Sequence, residues 1–302
     1  MGKRILVVGS LNMDVSIAAE RIPIKGETVL GKEYVNAPGG KGSNQAFAAG
    51  KFNGDVKMLG CVGNDSYGEM ILQALSSVNV DTSDIGKSGS SPTGTAFVAV
   101  DSNGANSIIV IPGANSDCTT DYLKRHENSF QTADILLVQM EIPIESVVCS
   151  IEMANANDVC TILNPAPATE IPASVLGKID YITPNETELE LLTGETITTD
   201  ESIAHAAHKL IESGVKTVIV TIGERGAMIV SESAYRIIPT DQVKAVDTTA
   251  AGDCFNGVLA VLLAEGCAIE ESVRLANKAA SVSVTRKGAT YSMPSKSDVL
   301  KV

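Results

Sequence analysis

The chain lacks several things that would place it in a common class at once. No uninterrupted apolar run approaches the ~20 residues needed to span a bilayer, so no membrane-crossing helix is expected. Positive charge is scarce: 23 Lys and Arg against 36 Asp and Glu give a formal charge of -13. That balance disfavours nonspecific binding to nucleic acid or to an anionic membrane. It leaves a local phosphate site open, because a nest of backbone amides outweighs a distant net charge. The six cysteines, at 61, 118, 149, 160, 254 and 267, form no Cys-x-x-Cys pair and no metal-ligand cluster. Most lie in or beside apolar runs and read as reduced core residues of a cytosolic protein. Cys254, next to Asp253 at a helix start, is the candidate for a reactive thiol. His205 and His208, three apart on an expected helix, have no third ligand nearby and read as surface residues. Both familiar glycine-rich nucleotide loops are also missing. Gly9-Ser10-Leu11-Asn12 is no Gly-x-Gly-x-x-Gly, which argues against a dinucleotide-binding oxidoreductase, and Val35 stands where a P-loop before Gly40-Lys41 needs its first glycine. Met1-Gly2-Lys3-Arg4 runs straight into Ile5-Leu6-Val7-Val8, too short for a signal segment, so cytoplasmic residence is expected.

What is present is organised around Asp247-Thr248-Thr249-Ala250-Ala251-Gly252-Asp253. This stretch leads into the apolar run 258–264, closed by Glu265-Gly266. Small residues, then a buried helix, then glycine predict a tight turn, a helix and its C-terminal cap. The free N–H groups and aligned peptide dipoles at such a helix start attract a phosphate or another anion. A carboxylate at Asp253 would repel that anion. It therefore suggests chemistry, a base taking a proton from a hydroxyl while the amides stabilise phosphoryl charge. Helix capping by Asp253 is the plainer alternative.

Along the rest of the chain, Ile5–Val8, Val56–Cys61, Ile135–Val138, Val159–Leu163, Tyr181–Thr183 and Val218–Thr221 read as buried strands alternating with helices, an open and largely parallel α/β sheet. Ligands of such sheets bind beyond the carboxyl ends of the strands. Asn12 and Asp14 follow the first strand there, as candidate ligand contacts or an Asx turn. Glu141 sits just past Ile135–Val138. Gly39-Gly40-Lys41-Gly42 precedes a small-residue helix from about Ser43 to Gly50, and Lys41 and Asn44 are able to hydrogen-bond a polyol. Asn185 and Glu188 fit a capping box. Short strands at Val15–Ala18, Glu33–Val35, Thr95–Val100 and Ser107–Ile111, without helices between, suggest a small β lid, drawn from about 15–37 and 93–111 of one domain spanning 1–302.

Several of these stretches together resemble the ribokinase-like carbohydrate kinases. The residues 247–257, DTTAAGDCFNG, look like the family's C-terminal signature, and Gly39-Gly40-Lys41-Gly42-Ser43-Asn44-Gln45 like its N-terminal one. The likeness continues through Asn185-Glu186-Thr187-Glu188, Thr221–Gly226 and Thr285–Ala289, so it covers essentially the whole chain. It implies a three-layer α/β/α main domain with a β-sheet lid that covers the sugar and forms a homodimer contact. The implied reaction is ATP-dependent phosphorylation of D-ribose at O5, with Asp253 as base. Asn12, Asp14, Gly40, Lys41, Asn44 and Glu141 would hold the sugar. Asn185, Thr221, Gly223, Gly226, Ala251, Gly252 and Asn277 would hold ATP, and Ala250 to Asp253 would form the anion hole. Glu188 would help organise Mg²⁺. K⁺ would sit among Asp247, Thr249, Ser283, Arg286, Gly288 and Ser292, with Arg286 using only its carbonyl, since its guanidinium has no acceptor. A kinase for 2-deoxyribose, another sugar or a nucleoside would keep nearly all of these residues, and a noncatalytic sugar-binding protein would keep all but the need for Asp253.

Overall fold

The computed structural model describes residues 3–300; Met1 and Gly2, part of the expected leader-free start, lie outside the described residues. An eight-stranded sheet runs in the order Tyr235–Ile238, Ala227–Val230, Thr217–Thr221, Tyr181–Ile182, Cys160–Asn164, Ile135–Gln139, Arg4–Val8, Asp55–Leu59. Six strands are parallel; the two at the 227–238 edge run antiparallel. Both faces of the parallel strands are covered, as their continuous apolar runs require. The first strand divides cleanly: Ile5 and Val7 face one helical layer and Leu6 and Val8 the other. The first layer holds the helices Lys41–Lys51, Ala251–Ala264 and Ile269–Val284; the second holds Ile144–Ala156 and Asp200–Glu212. The result is a three-layer α/β/α sandwich. Among the described residues no helix is long and apolar enough to cross a membrane.

A second, four-stranded sheet projects from it in the order Gly31–Gly39, Asn12–Ala19, Gly94–Val100, Asn106–Ile111. Its strands are longer than their apolar cores suggested, and Asn12 and Asp14 lie inside one of them rather than in a loop. The reason is pairing: Asn12 stands opposite both Gly39 and Gly94, so the ladder begins as soon as the chain leaves the main sheet. Val56–Cys61 is likewise not one strand. It breaks at Gly60, where a Cβ would come 2.5 Å from the Gly9 carbonyl oxygen, and Cys61–Gly63 pairs with Gly86–Ser88 in a small separate sheet.

Helix ends follow the sequence closely. Asn185 and Glu188 form a reciprocal capping box at Glu186–Thr193. Gly266 takes φ 81° just after the C-cap Glu265, and so closes the 251–264 helix in the left-handed conformation. The helix Lys41–Lys51 starts two residues earlier than expected, directly after Gly40 at φ 85°.

Candidate active site

The 251–264 helix opens on Ala250, which adopts φ 59° and ψ 17°, a left-handed conformation that costs a non-glycine residue about 1 kcal/mol. This turn leaves the N–H groups of Gly252 and Asp253 without an acceptor among the described residues. Gly252 carries no packing constraint. A Cβ added there meets no protein atom within 4 Å, so the glycine keeps space clear in front of the amides. Gly257, further along, is constrained: its Cβ would stand 2.5 Å from the Gln45 carbonyl oxygen and 2.7 Å from the Ala48 Cβ. The close crossing of the two helices that this glycine permits brings Asn44 and Gln45 onto the carboxylate of Asp253. Asn44 Nδ2 donates to Asp253 Oδ2 at 3.0 Å and Gln45 Nε2 to Oδ1 at 3.0 Å. Asp253 is only 7% exposed. Burial raises its carboxyl above the usual range, opposed by Lys41 and the two amides, and Glu141 pushes it further up. Such a group is a stronger base than a surface carboxylate. The neighbouring Cys254 is not the reactive thiol its position suggested, since it is wholly buried and burial pushes its thiol up to about 12.

The sugar-side candidates come from three chain segments. Glu141, past the end of the Ile135–Gln139 strand, accepts from Ser10 Oγ at 2.5 Å and from the Lys41 N–H at 3.0 Å. Lys41 is drawn by burial toward neutrality, but Asp253, Glu141 and Glu188 together raise it above its ordinary value. Burial raises Asp14 to about 7, with Glu141 and Asp253 adding to the shift. Gly40 is glycine because of its positive φ and because a Cβ would come 2.7 Å from the Asn12 nitrogen. Two participants, Gly39 and Asn115, had no role assigned from the sequence. A Cβ at Gly39 would come 2.2 Å from Asp14 Oδ2. Asn115, buried in a short 3-10 turn, donates to Asn12 Oδ1 at 2.7 Å and accepts from the Leu11 N–H at 2.8 Å. Asn115 thereby leaves the Asn12 NH₂ free to donate elsewhere. Its only sequence signal was polarity in a turn.

A cavity of about 450 Å³ adjoins the Asp253 turn. Asn185, Thr221, Gly223, Gly226, Ala251, Gly252 and Asn277 all line it, from four separate segments. Gly223 and Gly226 have φ 60° and 100°, and a Cβ at Gly226 would come 2.2 Å from the Ile238 carbonyl oxygen. Asn277 Nδ2 donates to that same oxygen at 2.9 Å and ties the 269–284 helix to the antiparallel edge of the sheet. Val243, Ala245, Phe255, Ala280 and Val284 complete an apolar wall, which the sequence reading missed because these residues carry no polar signature. Apolar walls with a few placed polar groups are the usual character of a small-molecule site.

Two oxygen-rich places adjoin this cavity. Asp247 accepts the N–H groups of Thr249 and Gly288, both at 2.9 Å, and so joins the 247–249 turn to the 285–289 loop. Partial burial pushes its carboxyl up, but these hydrogen bonds and the nearby Lys287 hold it below the ordinary value. Ser283 and Ser292 are buried, and the Arg286 guanidinium is engaged by Asp298 at 3.6 Å. The oxygens here, one carboxylate with carbonyls and hydroxyls, suit a hard cation. At the other place, Glu188 uses Oε2 to accept the Asn185 N–H at 2.9 Å; burial raises its carboxyl, opposed by that hydrogen bond and Lys41. Among the described residues no three His, Cys, Asp or Glu side chains are grouped to hold a metal.

Comparison with known proteins shows the family. The model of the pfkB family of carbohydrate kinases matches residues 3–296. Over 301 residues the chain is 38% identical to ribokinase of Haemophilus influenzae, covering 100% of this chain and 98% of that protein. It is also 36% identical to a deoxyribokinase of Salmonella typhimurium, with 96% and 95% covered. The structure of Arabidopsis thaliana ribokinase complexed with ribose and ATP superposes with a TM-score of 0.94 at 36% identity, over 100% of this chain and 98% of that one. With its signature turn, its β lid and a match along nearly its whole length, the chain belongs to the pfkB family of carbohydrate kinases.

Proposed function

We propose that the protein is an ATP-dependent ribokinase, transferring the γ-phosphoryl group of ATP to O5 of D-ribose. The single observation that carries this reading is a buried carboxylate, Asp253, held by two amides in the first turn of a helix whose Ala251 and Gly252 line a cavity of about 450 Å³. The base and the anion site share one turn, which suits in-line transfer. Asn12, Asp14, Gly40, Lys41, Asn44 and Glu141 bind the pentose. Asn44 and Lys41 contact the sugar and neighbour the base, so the same residues orient O5 toward it. Asp253 takes the O5 proton as that oxygen attacks. The amides of Gly252 and Asp253, in the turn from Ala250, hold the charge developing on the phosphoryl oxygens. Asn185, Thr221, Gly223, Gly226, Ala251, Gly252 and Asn277 hold the nucleotide.

Mg²⁺ bound with the nucleotide would neutralise phosphate charge. Glu188 fits that role as one carboxylate beside the cavity, since Mg²⁺ in kinase sites keeps most of its water and takes few protein ligands. K⁺ fits Asp247, Thr249, Ser283, Arg286, Gly288 and Ser292, where it would stiffen the loop behind the anion-binding turn. The four-stranded sheet closes over the sugar and excludes water. Its Asn106–Ile111 edge strand exposes Ile108 and Val110 on the face shared with Asp14 and Ile109 and Ile111 on the other. A strand apolar and exposed on both faces is a liability in a monomer, so a second copy of the chain covers it in a homodimer.

A 2-deoxyribose kinase is the second reading, supported by the Salmonella relative. The test is a coupled assay with MgATP against ribose, 2-deoxyribose, a hexose and adenosine, in potassium and in tetramethylammonium buffer. Ribose is expected to give the largest kcat/KM, with product identified as the 5-phosphate, and a higher rate in potassium. A deoxyribose kcat/KM above that of ribose would hand the assignment to the second reading.

A further inference from the structure

The pocket around Asp253 contains a chain of buried amides that no step described so far uses. Gln139, at the end of the Ile135–Gln139 strand and fully buried, donates from Nε2 to Gln45 Oε1 at 2.7 Å. Gln45, also fully buried, donates both of its amide hydrogens, to Asp253 Oδ1 and to Asn164 Oδ1, each at 3.0 Å. Asn164 in turn donates to the Thr183 carbonyl at 3.1 Å. Every link has one direction. An amide flip at Gln45 would set its oxygen against the Asp253 carboxylate and its NH₂ against the Gln139 NH₂, so Gln139 fixes which end of Gln45 faces the base.

The far end of the chain is itself costly. Gln139 Oε1 has no hydrogen-bond partner, and it lies where a Cβ at Gly9 would be only 2.0 Å away. A buried polar atom without a partner destabilises a fold. Two apolar residues of the same shape in place of Gln45 and Gln139 would remove that cost, so packing alone does not account for the pair.

We infer that Gln45, oriented by Gln139, is a positioning residue for phosphoryl transfer, holding the Asp253 carboxylate in its reactive rotamer and in its ionised form. The inference rests on Asp253 being the base. Asn44 holds the other oxygen, Oδ2, at 3.0 Å, but it also lies in the proposed sugar site and is displaced or shared when ribose binds. Gln45 is fully buried, and its other two bonds go to Asn164 and Gln139, outside the proposed sugar site, so ribose has no need to displace it from Oδ1. Other charged or titratable groups act on Asp253 from every side: Lys41 on the same helix as Gln45, Glu141 past the strand of Gln139, Asp14 in the lid, Glu188 across the cavity and Cys254 on its own helix. None of their side chains bonds to the Gln45 side chain, whose partners are Asp253, Asn164 and Gln139, so removing its amide changes the base while leaving that field in place.

The test compares wild type, Gln45→Met, Gln139→Met and Asp253→Asn in the full-length protein. The readouts are kcat and KM at saturating MgATP from pH 5.5 to 9, ribose binding by calorimetry, and a thermal melt. Gln45→Met is expected to lower kcat about tenfold or more, as loss of a partner to a charged group does, with ribose KM changed less than about threefold. The acid limb of kcat should move upward in pH, because the lost donor favoured the carboxylate. Gln139→Met should shift it in the same direction by less, and serves if Gln45→Met does not fold. An unmoved acid limb in the folded variant, or equal changes in kcat and KM, overturns the inference and leaves a packing role. An Asp253→Asn enzyme that keeps its rate would instead sink the base assignment itself, which separates the two failures.

Discussion

Asn44 and Asp253 stand 209 positions apart in the chain and 3.0 Å apart in the fold. The contact joins the two signature stretches, and it exists because Gly257 lets their helices cross without a side chain between them. The group that would neighbour the sugar and the group that would deprotonate it are therefore one hydrogen-bonded unit.

The Asp253 side chain does not cap its helix, whose N-cap is Ala250; replacing it by Asn keeps its shape but removes the base. Turnover at saturating ribose and MgATP is expected to fall by a factor of about 10² to 10⁴, with dissociation constants for both ligands nearly unchanged. Initial rates beside calorimetry read this directly. A merely structural role predicts a near-normal rate, since Asn keeps that shape.

Asp14 sets a pH dependence whose sign differs between binding and stability. Its carboxyl is raised by burial to about 7 in the folded protein, from an ordinary value of 3.8. Below the unfolded value the carboxyl is protonated in both states and costs folding nothing; as pH rises through 4 to about 7 folding takes up a proton and stability is lost. Asp14→Asn should raise Tm, and more at pH 8 than at pH 5. Ribose should meanwhile bind the wild type more weakly below pH 7, where the acceptor is protonated, and the Asn variant weakly at every pH. A Tm gain equal at the two pH values would contradict this account.

Two glycines of one helix should respond oppositely to alanine. Gly252→Ala has room for its methyl and gains helix propensity of up to about 1 kcal/mol, so the melt holds or rises while KM for MgATP increases several-fold. Gly257→Ala forces a methyl to 2.5 Å from the Gln45 carbonyl oxygen and should cost about 1–3 kcal/mol of stability. Melting curves and nucleotide titrations of the two variants distinguish a site glycine from a packing glycine.

Ile109 is 69% exposed on the lid's outer strand. If a second copy covers that strand, Ile109→Glu should convert a dimer to a monomer in sedimentation equilibrium, with secondary structure retained by circular dichroism. A wild type that sediments as a monomer at all concentrations removes the dimer from the proposal.

The sequence alone determined the strand series, the helix caps at Asn185 and Gly266, and the turn at Ala250 to Asp253, because each is set by residues within a few positions of one another. Periodicity marks a buried strand, and a cap is a contact across one turn. The sequence's resemblance to the family also brought seven residues to attention as a proposed nucleotide side, and they line one cavity. Only the tertiary structure decided how far the lid strands extend, that Asn12 and Asp14 belong to them, and that Cys254 is sealed in the core. Gln45, Asn115 and the apolar wall around Ala280 carry no local mark of their roles, since each acts on a residue or a space that distant parts of the chain complete. A burial shift is likewise a property of the assembled surroundings: Asp14 has an ordinary carboxyl in the sequence, and it is raised to about 7 only when folding removes its water and sets Glu141 and Asp253 beside it.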